Sequence, residues 1–191
     1  VAVSGASRRI DAARVDGRAM VLGASIGIHA EAIRNARARG KGTFGVGAYA
    51  ASLLVELAEA EPFELYLKTP VGEATLHASA LSVASSARPS ALLSRGMGEV
   101  VPDDGLLDVT VVLGQGVTEL ALAGLELAAG ALSGNRVDGD HALGLRAPWV
   151  ELRCSPPRAV LVDGEDLGER AQLRIECLLG ALEVIVPDEV E

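Results

Sequence analysis

Gly23-Ala24-Ser25-Ile26-Gly27 sets a serine between two spaced glycines, the G-x-S-x-G pattern of a hydrolase nucleophile. That chemistry needs a histidine base, oriented by an acid, after the serine in sequence. His77 and His141 are available. It also needs strand–helix alternation downstream, where this sequence is antiparallel in character, so the five residues read as a glycine-flanked turn. Gly40-Lys41-Gly42-Thr43-Phe44-Gly45 matches the dinucleotide pattern G-x-G-x-x-G, but it follows an expected helix and not a strand, which makes it a link between helices. Its basic flank, Arg34, Arg37, Arg39 and Lys41, reads as a solvated face, with a phosphate or anionic headgroup as the alternative partner. Asp138-Gly139-Asp140 has too few oxygen ligands for a calcium loop and reads as a turn. His29, His77 and His141 are scattered and receive no role. Two acidic turns remain, Pro102-Asp103-Asp104-Gly105-Leu106-Leu107-Asp108-Val109 and Val162-Asp163-Gly164-Glu165-Asp166. Taken alone, each is a turn beside a strand, because Asp-Gly is a residue pair that hairpins prefer.

The elements that must carry these turns follow from periodicity. Residues 1–18 read as a polar lead-in with a turn at Asp16-Gly17, and Ala19 to Ala24 as a short buried strand. Helical spacing is expected from Ile28 to Arg39 and from Val46 to Ala60, where Pro62 stops it. Phe63, Leu65 and Leu67 alternate with polar residues, as does Leu76 to Val83, and the two runs flank Pro70-Val71-Gly72 as a hairpin. Residues 84–102 form a long loop. Leu106 to Leu113 is a strand, and Thr118 to Leu132 a helix with Thr118 as N-cap. Short strands follow at Val150–Cys154, Ala159–Val162, Leu173–Cys177 and Leu182–Val186. With no βαβ repeat, the expected class is mainly β with helices, an α+β antiparallel β-sandwich decorated by two or three helices.

Composition narrows the partners. A chain of 191 residues, 49% of them apolar, can bury one sizeable core. Only 3% are aromatic, so Val, Leu, Ile and Ala must build that core. A net charge of −9, without basic runs interleaved with aromatics, argues against a nucleic-acid partner. Two cysteines, Cys154 and Cys177, support neither a disulfide scaffold nor a zinc site. No apolar run is long enough to span a bilayer, and no signal-peptide pattern opens the chain. A cytoplasmic location is expected, with peripheral contact at the inner membrane face. The chain begins at Val1, as a fragment or a processed product would.

Taken in order, several stretches carry a resemblance: VDGRAMVLGASIGIHAEAI, FGVGAYAASLLVEL, PFELYLKTPVGE, PDDGLLDVTVV, VLVDGEDLG and IECLLGALEVIVP. Their order and spacing resemble the carboxy-terminal domain of the diacylglycerol kinase-like bacterial lipid kinases, relatives of sphingosine kinases and NAD kinases. The resemblance covers almost the whole chain. It implies that residues 1–191 form the lipid-side β-sandwich domain of a lipid kinase, whose N-terminal ATP-binding domain carries a Gly-Gly-Asp-Gly-Thr loop that this chain lacks.

The same resemblance implies roles. Phosphoryl transfer to an alcohol needs a base near the hydroxyl and cations near the phosphates. Glu165 matches the family's acid that takes the proton from the lipid hydroxyl, and Asp163 shapes its turn. Asp104, with the carbonyl of Leu106, matches a Mg²⁺ site, and Asp103 is a weaker ligand for the same ion. The implied partners are a diacylglycerol-like or sphingoid alcohol, ATP, and the N-terminal domain. This sequence departs from the family at Ser85-Ser86-Ala87-Arg88-Pro89-Ser90, where an Asn and a Gly-rich loop are usual. The competing reading is a non-catalytic β-sandwich module that binds lipid or forms a homodimer.

Overall fold

The computed structural model describes residues 5–28, 30, 61–86 and 101–186. Through them run strands β1 (Ala6–Val15), β2 (Arg18–Met20), β3 (Gly23–Gly27), β4 (Phe63–Thr69), β5 (Gly72–Ala78), β6 (Ala80–Ala84) and β7 (Leu107–Val112), then helix α1 (Gly116–Ser133), then β8 (Ala142–Ala147), β9 (Trp149–Val162) and β10 (Glu165–Val186). The strands pair antiparallel in the order β2-β1-β10-β9-β3-β6-β7-β8, and the β4–β5 hairpin joins β9 through β4.

The sheet folds over itself because β9 and β10 are long enough to serve two layers. Residues 149–155 of β9 pair with β4 and with the middle of β10, while residues 158–162 pair with β3 and the start of β10. Between them sit Pro156 and Pro157, which cannot donate to a ladder and so fall where the strand changes layer. One apolar cluster fills the sandwich, with Ala13 and Val15 of β1, Leu65 and Leu67 of β4, and Leu152 and Ile175 facing Ile26, Val83, Val109 and Val160. It is built of aliphatic side chains, as the composition requires, with Phe63 the largest. A second cluster lies on the outside of the β3-β6-β7-β8 layer, where Leu120, Ala123 and Leu127 of α1 cover Ala80, Val112 and Ala142.

The sandwich class is as expected, but local boundaries differ. Gly23–Gly27 is a strand and not a turn; Ser25 pairs with Ser82 and Leu161 in mid-sheet, so no nucleophile elbow exists there. The run Ala19–Ala24 is broken at Val21-Leu22 into β2 and β3. Residues 6–15 are an extended strand paired with β10, although their polar residues suggested a lead-in. The expected strand Leu76–Val83 breaks at Ser79, whose hydroxyl donates to the Gly114 carbonyl at 2.5 Å. The four short strands after residue 149 merge into two, since bulges and prolines interrupt the apolar pattern without ending the extended chain. The helix begins earlier than expected: Gln115 is its N-cap, and Thr118 lies within the first turn. In place of a hydroxyl cap, Glu119 accepts the Gln115 N–H at 2.8 Å. The turn at 138–140 is confirmed, with the Gly139 N–H donating to the Ala142 carbonyl. Apart from Ile28 and Ala30, the helices expected over 28–39 and 46–60, with the G-x-G-x-x-G stretch, lie outside the described residues, as does most of the 84–102 loop.

Candidate active site

Asp163 and Gly164 form the two-residue turn between β9 and β10, both at positive φ (49° and 85°), so Val162 and Glu165 stand opposite each other. Asp tolerates this left-handed conformation better than most side chains. The Asp163 carboxylate also latches the turn to β3, accepting the N–H groups of Val21 at 2.7 Å, Leu22 at 2.8 Å and Gly23 at 2.9 Å. Asp163 is thus a shaper of the turn. Directly paired residues project to the same face of a sheet. Val162 belongs to the sandwich core, so Glu165 leaves the backbone on that inner face, at the solvent-exposed rim. Among the described residues its carboxylate has no ion pair or side-chain hydrogen bond.

The other acidic turn is held from β1. Asp11 is fully buried, at a register shift between Ile10 and Ala12. Its carboxylate accepts the N–H of Gly105 and that of Gly180, each at 2.7 Å, and its own N–H donates to the Pro102 carbonyl at 2.6 Å. Three residues earlier on the same strand, Arg8 pairs with Asp103 at 2.6 Å. Asp104 accepts the Leu106 N–H at 2.9 Å with one oxygen, and its other oxygen lies 3.7 Å from Arg146. Arg146 donates to the buried Asp108 at 2.7 Å. Burial pushes the Asp108 carboxyl above its usual range, against the pull of Arg146. Burial, followed by the charges of Asp11 and Asp104, pushes the Cys177 thiol up to about 12.

The layer brings both turns to one end. Asp108 pairs with Ala84, Ala84 with Gly23, and Gly23 receives the Asp163 N–H. Asp108 and Asp163 are therefore three strand spacings apart, about 14 Å. The sequence placed Glu165, Asp103, Asp104 and Leu106 on two separate turns, and the strand pairings set these turns at one end of the same layer. Asp11, Asp108, Arg8 and Arg146 were missed. Asp11 interrupts the apolar positions of a strand, and that was the available signal.

The donor set at the 103–106 turn suits only a sparsely ligated ion. Asp103 faces Arg8, which leaves Asp104 and the Leu106 carbonyl, and no group of three or more His, Cys, Asp or Glu side chains suited to a metal occurs among the described residues. Magnesium tolerates such ligation because it keeps several waters.

Comparison with known proteins agrees with this architecture. Residues 23–186 match the model of the YegS C-terminal NAD kinase beta sandwich-like domain. An uncharacterized protein of Synechocystis sp. is 33% identical over 189 residues, which is 97% of this chain and 42% of that protein. The chain thus spans less than half the length of this relative. A crystal structure of a Bacillus anthracis protein named as a candidate diacylglycerol kinase superposes with a TM-score of 0.67 at 18% identity, covering 95% of this chain and 57% of that one. A diacylglycerol kinase from the same organism gives 0.58 at 17% identity, covering 95% and 55%. These two similarities speak for the fold. With the family match extending over most of its length, the chain belongs to the YegS C-terminal, NAD kinase-like β-sandwich domains.

Proposed function

We propose that this chain is the acceptor-side half of an ATP- and Mg²⁺-dependent lipid kinase that phosphorylates a diacylglycerol-like or sphingoid alcohol. The observation that carries this reading is the rigid mounting of Glu165. Its turn is fixed by three backbone N–H groups on Asp163, and its own carboxylate is left unengaged at the core-facing rim among the described residues. A base needs that combination of fixed position and accessible oxygens. Glu165 takes the proton of the acceptor hydroxyl as the oxygen attacks the γ-phosphorus of ATP; the new O–P bond forms and ADP leaves. The nucleotide is held by an N-terminal domain opposite this rim. Asp104 and the Leu106 carbonyl would hold Mg²⁺, which supplies positive charge to the transferring phosphoryl group. Asp11 keeps that turn in place, and Arg146 contributes fixed positive charge beside it. Contact with the membrane is peripheral and apolar. The exposed Leu122, Leu125 and Leu132 of α1 support it, and the net charge of −9 offers no attraction to anionic lipid.

The test is transfer of labelled γ-phosphate to dioctanoylglycerol and to a sphingoid base, with Mg²⁺, by a polypeptide joining this chain to its nucleotide-binding half. Labelled lipid phosphate is expected from the joined polypeptide and none from the chain alone. Absence of transfer to any lipid alcohol contradicts the proposal.

A further inference from the structure

The β4–β5 hairpin leaves β5 as an edge of the first layer. Among the described residues β5 pairs only with β4, in an unbroken register from Phe63↔Ala78 to Thr69↔Gly72. The loop has two residues, so Thr69 and Gly72 are a hydrogen-bonded pair and the pattern alternates from there. Glu73, Thr75 and His77 consequently turn their N–H and C=O groups away from β4. Residues 72 to 75 and His77 are exposed. Such edges are usually blunted by proline, lysine, a bulge or a covering loop. Within Gly72–Ala78 there is no proline or lysine, the ladder has no bulge, and Glu73 is the one formally charged side chain.

We propose that this edge is an interface with a second copy of the chain, formed by antiparallel pairing of β5 with its own copy about Thr75. That register is the one the open groups select. It sets Thr75 against Thr75 and Glu73 against His77, each as a hydrogen-bonded pair, so all three outward-facing residues of each strand are satisfied. Side chains agree with it. On the outer face Glu73 meets the other copy's imidazole at both ends of the interface; one Glu73 oxygen already accepts the Tyr66 hydroxyl at 2.6 Å, and the second can take a ring N–H. On the inner face exposed Ala74 meets half-buried Leu76, extending the apolar surface of the layer across two copies. The 163–164 turn lies on the other layer and the 102–106 turn is held from β1, several strands away from β5, so the inference is independent of the kinase reading.

The experiment measures molecular mass by sedimentation on the longest polypeptide containing this chain, at high micromolar concentration. Wild type is expected to be a dimer. Thr75→Pro removes the central outward N–H at an edge where proline is sterically tolerated, so a monomer with unchanged circular dichroism is expected. Thr75→Cys is expected to form a covalent dimer under mild oxidation, because Cα atoms of a hydrogen-bonded pair lie about 5.5 Å apart, within disulfide range. Val71→Cys, at the exposed hairpin tip, should not cross-link. A monomeric wild type overturns the proposal. So does a dimer that survives Thr75→Pro while Thr75→Cys stays uncrosslinked.

Discussion

Asp163 and Gly23 bind each other twice: the Gly23 N–H donates to Asp163 Oδ1 at 2.9 Å, and the Asp163 N–H donates to the Gly23 carbonyl at 2.9 Å. A side chain and a backbone group of one turn thereby grip the first residue of β3. A Cβ at position 23 would approach the Val83 carbonyl to 2.8 Å, so only glycine lets β3 start this close to β6. The same grip fixes where Glu165 leaves the sheet, because only Gly164 separates the two acids.

Asp163→Ala should therefore act on both stability and turnover. It leaves three N–H groups to solvent and puts a residue with little tolerance for positive φ in the turn, a loss of about 2 kcal/mol. Asp163→Asn keeps one acceptor oxygen and the turn preference, so it should recover part of that loss. Denaturant titration checks the first quantity, and kcat with lipid acceptor the second. Nucleotide binding should be unchanged in both variants.

Asp11→Asn probes the opposite turn through a chemical reporter. In wild type the Cys177 thiol, pushed up to about 12, and the Cys154 thiol, pushed up to about 11 by burial, should both resist iodoacetamide at neutral pH. Removing the Asp11 charge should lower the Cys177 value and speed its alkylation, with Cys154 unaffected. Mass spectrometry of partially alkylated protein reads this directly. Asp11→Ala, which strands two backbone N–H groups, should cost about 3 kcal/mol.

Glu126 and His141 couple α1 to the loop before β8, and they predict a pH dependence. Glu126 accepts His141 Nδ1 at 2.9 Å and the N–H groups of His141 and Ala142 at 3.1 and 2.8 Å. The hydrogen bond to Glu126 raises His141 above its ordinary 6.5, so its contribution is full below 6.5 and fades as pH rises through the raised value. Burial acts to raise Glu126, but the hydrogen bonds from His141 and Ala142 outweigh it and hold it below its ordinary 4.5; its contribution is full above 4.5 and fades as pH falls through the lowered value. The pair should stabilise most between those two values. His141→Ala should lower Tm more at about pH 5.5 than at about pH 9, and equal losses at both would count against the coupling.

Much of the sandwich was legible because β4 keeps period-two alternation, with one face buried, and because β7, buried at every position, is a short apolar-rich run of strand length. Strand length was not legible. Pro156-Pro157 and Gly180 look like ends of elements, yet they mark a change of layer and a bulge, and it takes the partner strands to show this. β1 was hidden by its first four, exposed residues and by Asp11, a buried acid whose partners lie more than ninety residues away. The turns that carry Asp104 and Glu165 could be read from short motifs, because a turn and its Asp-Gly pair are local. The clamps Asp11, Arg8 and Arg146 are long-range, and their chemistry appears only when strands distant in sequence are laid side by side.

A proton acceptor at position 165 is the centre of the proposed chemistry, and one variant isolates it. Glu165→Gln keeps size and polarity at an exposed position, so Tm and the affinity for nucleotide should match wild type. If the carboxylate takes the acceptor's proton, kcat for lipid phosphorylation in the two-domain polypeptide should fall by roughly 100-fold or more. A variant that phosphorylates lipid at a rate near wild type would remove Glu165 from the chemistry.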